Sequence, residues 1–152
     1  MRPAYRLRQL VNAANGTTLS GLGVARVGRA ALSPGPDGLI IGTGYRHQFP
    51  TGGAFTMGNV VISRRARDRL LGDSQLMLHE SRHASQYAVV GPAYLPLYLL
   101  AVGWSYLRTG DHWSRNPFER HAGLADGHYI DRPLRPAWSA LRRPRRRVTG
   151  AG

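Results

Sequence analysis

The chain has 152 residues, 42% of them hydrophobic, with no cysteine; its 21 basic residues are all arginine, set against 8 acidic ones for a net charge of +13. That length suits one domain with a self-sufficient core, and the absence of cysteine excludes disulfides and thiolate metal sites. The basic balance would suit nucleic acid or anionic lipid, but the arginines are spread along the chain apart from clusters at residues 64–69 and 142–147, so the charge is read mainly as background and solubility.

The opening MRPAYRLRQLVNAANG is basic but has no apolar run long enough for a signal-peptide core, so a cytoplasmic location is expected, with membrane association as a variant of it. Within residues 4–14, Leu7, Leu10, Val11 and Ala14 fall at helical spacing and predict a short amphipathic helix, ended by Asn15-Gly16. Residues 17–30 are broken by glycines and give no clear signal. Residues 31–33 and 39–41 flank Gly35-Pro36-Asp37-Gly38, a hairpin signal. Residues 54–63 (AFTMGNVVIS) read as the best strand in the chain, and residues 64–71 as a basic helical turn. A helix is predicted from the cap residues Asp73-Ser74 to Val90, stopped by Gly91-Pro92. Residues 87–107 then run for 21 positions without a charge, long enough on count alone to be a membrane span. The Gly-Pro break leaves only about 12 residues of helix from Pro96, roughly 18 Å, so a buried core helix is expected. The alternative is an interfacial or re-entrant membrane segment, which Tyr94, Tyr98, Trp104, Tyr106 and the arginines would suit. Asn116-Pro117 opens another helix, with Asn as cap and Pro at its first position.

The helix after Asp73 carries the chemistry, in LHESRHASQ (residues 78–86). His79 and His83 are four apart and face the same way, about 40° from each other, with Glu80 inside the same roughly 100° arc. Two imidazoles so placed can bind one zinc while the glutamate handles a water, the H-E-x-x-H arrangement. Chance would produce such a triplet in a chain of this composition only roughly 0.003 times, and Leu76, Met77, Ala84 and Tyr87 add apolar flanks. Read as coincidence, the three would be polar residues on a solvated helix face.

A catalytic zinc takes three protein ligands and leaves one position open. The chain has only one other glutamate, Glu119, on the helix opened by Asn116-Pro117 and 36 positions past His83. As the third helical residue after Asn116 it also fits a capping box, reaching back to the cap's own N–H. Both roles stand open on local grounds, with His121, Asp126 and His128 as fallback ligands.

The run AFTMGNVVIS, LHESRHASQ, GPAYLPLY and NPFERHAGL, over roughly residues 54–129, resembles small bacterial zincin-like proteins of the gluzincin type. The resemblance implies an α+β fold with a small antiparallel sheet packed against a few helices. It also implies His79, His83 and Glu119 as Zn2+ ligands and Glu80 as the catalytic base. The larger gluzincins place an Asp four residues after the third ligand, to orient a histidine; position 123 here is Gly, and Asp126 is the nearest substitute.

These readings give a single zincin-like domain at residues 1–131 and a basic, irregular Pro/Arg-rich tail at 132–152. The function expected is zinc-dependent hydrolysis of a peptide or protein substrate. His112, His121, His128 and Tyr129 are candidate oxyanion donors, and the strand at 54–63 could pair with an extended substrate if it lies at a sheet edge. One alternative is a basic peripheral protein on an anionic membrane surface, with structural zinc or none. A second is a nucleic-acid binder using the arginines of residues 142–147.

Overall fold

A computed structural model describes residues 2–48 and 52–141. Two helices lead, α1 (Pro3–Ala14) and α2 (Thr17–Val27), followed by strands β1 (Ala31–Pro34), β2 (Ile40–Thr43), β3 (Phe55–Met57) and β4 (Val60–Ile62). The rest is helical: α3 (Arg67–Gly72), α4 (Ser74–Val90), α5 (Tyr94–Thr109), α6 (Pro117–Ala122) and α7 (Pro136–Leu141). The α+β class holds, but the sheet is mixed rather than antiparallel. Its order is β1-β2-β4-β3, with β2 and β4 parallel and the two outer pairs antiparallel.

The strand chemistry explains that order. Val60, Val61 and Ile62 are all fully buried, and a continuous apolar run belongs in a strand covered on both faces. Central β4 is sandwiched accordingly. Val60 and Ile62 pack with Ala25 of α2 and with Tyr45; Val61 packs with Ile41, Leu70, Leu76, Met77 and Ala84 on the other side. The single strand expected over residues 54–63 is instead a tight hairpin. Gly58 turns it at φ +59°, and a Cβ there would stand 2.4 Å from the backbone nitrogen of Thr18, which confines the position to glycine.

Residues 17–30, without a clear signal in sequence, are largely helix. In α1 the helix forms where predicted, but the face is reversed. Leu7 and Leu10 are 64% and 68% exposed, whereas Arg8 and Asn12 are buried. The cause is hydrogen bonding: Asn12 Nδ2 donates to Ala84 O at 2.8 Å and to Asn59 Oδ1 at 3.0 Å, and Arg8 donates to Ser81 Oγ at 2.8 Å and to Asp37 O at 2.7 Å. These polar partners, on α4 and the turns beside it, draw the polar face of α1 inward.

Helix α4 starts as predicted, with Asp73 Oδ1 accepting the N–H of Leu76 at 3.1 Å, and ends at Gly91, whose φ of +66° breaks the helix. Helix α5 begins two residues earlier than expected and is not a core helix: only Tyr94, Ala101 and Ser105 are buried. The tail is not wholly irregular. Helix α7 docks on the end of α5, where Arg135 N donates to Arg108 O at 2.8 Å and Trp138 Nε1 to Leu107 O at 3.2 Å. Those carbonyls belong to the last helical turn, which has no intrahelical donors for them. The arginine cluster at 142–147 lies outside the described residues.

Candidate metal centre

His79 and His83 are buried on one face of α4, with their Nε2 atoms 3.0 Å apart. Glu119 comes from α6, which the Asn116 side chain caps by accepting Phe118 N–H at 3.0 Å. Glu119 Oε2 lies 3.1 Å from His79 Nε2 and 3.6 Å from His83 Nε2. The capping-box role is not the one taken. The Asn116 N–H donates to Trp113 O at 3.0 Å, and the other Glu119 oxygen accepts the Tyr98 hydroxyl. His79, His83 and Glu119 thus form one buried group that could hold a metal ion.

The outer partners of the two imidazoles determine what they offer inward. His79 Nδ1 is 3.0 Å from the carbonyl oxygen of Gly123, so Nδ1 carries the proton and Nε2 presents a lone pair. His83 Nδ1 is 2.9 Å from Gln86 Oε1 and 2.8 Å from the Tyr94 hydroxyl. Gln86 is oriented by its own Nε2 donating to Phe118 O at 2.9 Å, and its Oε1 also accepts the Tyr94 hydroxyl at 2.9 Å. His83 therefore also donates outward and turns a lone pair inward. While both imidazoles are neutral, two lone pairs and a carboxylate oxygen converge with nothing positive among them. Glu119 Oε2 is a buried oxygen without a hydrogen-bond partner, an expensive condition unless a cation relieves it.

The spacing fits such a cation. Four ligands around an ion at roughly 2.0–2.1 Å stand about 3.3 Å from each other, against 3.0, 3.1 and 3.6 Å here. Electrostatics points the same way. Burial works against ionised Glu119, yet the two histidines and Tyr98 outweigh it and hold its pKa down to about 2. Burial likewise disfavours charged His83, but Glu119, with Glu80 behind it, raises its pKa above the ordinary histidine range. The cluster attracts positive charge, and a metal ion would compete for it with a proton.

Glu80 is also buried, with Oε2 accepting the Thr56 hydroxyl at 2.7 Å across from β3. Burial raises its pKa, moderated by the neighbouring histidines and Thr56. Gly127 passes so close that a Cβ there would lie 2.9 Å from His79 Nε2, so the loop leaves that side of the group clear only as glycine.

The fallback ligands stay outside the group. His121 Nδ1 meets Gln86 Nε2 at 3.1 Å, and His128 pairs with Asp73 at 2.9 Å. Asp126 pairs with Arg82, which also donates to Ala122 O at 2.7 Å and so ties the end of α6 to α4. Asp126 does not substitute for a carboxylate at position 123; the backbone oxygen of Gly123 itself accepts from His79. Of the four oxyanion candidates only Tyr129 stands against a histidine of the group, its ring 5.8 Å from that of His79, whereas His112 stacks on Tyr106. Sequence reasoning missed Gln86, Tyr94 and Tyr98. Their signals were present, three residues after His83 and four apart along the apolar run. Burial raises both tyrosine hydroxyls well above the usual range, so they remain neutral donors.

No protein-family model, curated protein or solved structure matches the chain.

Proposed function

We propose that the protein is a zinc-dependent metallopeptidase of minimal, gluzincin-like design. The observation carrying this reading is the buried convergence of His79 Nε2, His83 Nε2 and Glu119 Oε2, with Glu80 on the same helix. Two imidazoles, one carboxylate and no thiolate are the donor set of a catalytic zinc that keeps a position open. Zinc bound there would polarise a carbonyl and acidify a water.

The chain's own residues do the rest. Glu80, desolvated and with its pKa raised, takes the proton of the attacking water and hands it to the leaving amine. Thr56 holds one oxygen of that carboxylate, fixing its direction. Gly123 O, Gln86 and Tyr94 hold the ligand imidazoles in the tautomer that points a lone pair inward, and Tyr98 anchors Glu119. Strand β3 is outermost in the sheet and carries Thr56, so an extended peptide added along that edge would run past Glu80.

The test is Glu80→Gln, assayed on a peptide library. The amide cannot take a proton from water, so hydrolysis should be lost while bound metal stays at the wild-type level. Hydrolysis that persists in the variant would move the chemistry away from this site.

A further inference from the structure

Helix α5 is built inside out for a helix in water. Its buried stripe contains Tyr94, Ala101 and the fully buried Ser105, whose hydroxyl donates to Asp111 O at 2.7 Å. Its exposed side is apolar throughout: Leu95, Leu97, Leu99, Leu100, Trp104 and Leu107 all stand out, Leu100 at 71%. At about 100° per residue these positions sweep roughly 200° of the helix circumference. No charged residue interrupts that face between Tyr94 and Leu107. Polar groups turned inward and leucines turned outward are the pattern of a helix whose surroundings are hydrocarbon.

The end of this face is built for an anionic boundary. Arg108 lies over the rings of Trp104 and Trp138, 5.0 and 5.7 Å from their centroids, and Arg135 lies 5.4 Å over Tyr106. Aromatic rings and arginines of this kind mark the headgroup level of a membrane. The acidic groups nearby are committed elsewhere: Asp131 pairs with Arg115 and Arg120, and Asp111 accepts from Trp113 N and Ser114. After α7 the sequence adds five arginines within residues 142–147. The helical run Ser74–Thr109 is long and apolar enough to cross a membrane by length and composition, but Gly91 breaks it and its first half carries the metal group. The apolar helix left, Tyr94 to Leu107, is about 21 Å long, short of the roughly 30 Å of a bilayer's hydrocarbon.

We propose that the exposed face of α5 lies in the surface of an anionic lipid bilayer, with the arginines at its C-terminal end on the headgroups. An arc wider than half the helix favours lipid over a second copy of the chain, which would cover one side. The inference does not depend on the metal being zinc or on peptidase activity. It does place the buried His79–His83–Glu119 group at the membrane, because Tyr94 and Tyr98 of the same helix hold His83 and Glu119.

The experiment is co-sedimentation of the full chain with vesicles of phosphatidylcholine alone or mixed with phosphatidylglycerol. Wild type should pellet with the mixed vesicles and much less with the neutral ones, and chelator should not change this. Leu97→Glu with Leu100→Glu should reduce the partition coefficient at least about tenfold, at unchanged circular dichroism; both positions are exposed. Leu100→Glu alone repeats the test if the double variant misfolds. Wild type left in the supernatant with anionic vesicles, or a folded variant pelleting like wild type, would overturn the proposal. So would a lipid-free dimer that the variant abolishes, which would assign the face to a second copy.

Discussion

Helices α4 and α5 are neighbours in the chain and opposites in chemistry. Helix α4 buries its polar side chains, His79, Glu80, His83 and Gln86, whereas α5 leaves most of its leucines exposed. A buried ionisable group costs several kcal/mol unless its charge and hydrogen bonds are met, and α4 meets them with Thr56, Gly123, Tyr94 and Glu119. Exposed leucine forgoes about 1.5–3 kcal/mol of burial each, and α5 forgoes it repeatedly. Burial in this molecule therefore follows the requirements of two environments, a charged group inside and an apolar surface outside, more than residue hydropathy.

Changes on the two sides of α5 separate these environments. On the inner side, Tyr98→Phe removes the hydroxyl that anchors Glu119. Metal affinity, measured by zinc titration against a chelator, should fall by about 10- to 100-fold with the fold retained; unchanged affinity would show that Glu119 is positioned without it. On the outer side, Leu100→Ala should change stability by no more than about 0.5 kcal/mol in urea unfolding without lipid, since the side chain is already 71% exposed. A loss several times larger would mean that the face is covered in solution by something other than water.

The same contrast explains what was legible in the sequence. Helix α4 was readable because its signals are local: a cap at Asp73, a stop at Gly91-Pro92, and His79 and His83 one turn apart. Glu119 stood out because the chain has only two glutamates, although choosing between cap and ligand required seeing where its oxygens go. The face of α1 was misread because periodicity takes leucine to point inward, and the decisive terms were the bonds made by Arg8 and Asn12. The burial of α5 was misread for a different reason: length excluded a membrane span, and an uncharged run too short to span was placed in the core. The mixed sheet was not legible because strand order depends on which strand is covered on both faces, and β4 was hidden within what read as one strand. Gln86 went unread, and Tyr94 and Tyr98 suited a membrane interface as far as sequence went, because a glutamine and two tyrosines in an apolar stretch acquire this meaning only when the fold brings them to a histidine and a carboxylate.

Whether His79, His83 and Glu119 hold one ion together is decided by metal content. Wild-type protein loaded with zinc and freed of excess should retain about one zinc per chain by elemental analysis. His79→Ala and Glu119→Gln should each retain far less, with circular dichroism as the control on folding. Glutamine also serves in a capping box, so a loss in Glu119→Gln reports ligation rather than helix capping. Stoichiometric zinc in wild type, lost in both variants, is expected of a three-residue metal site; wild-type zinc levels in both folded variants would rule that site out.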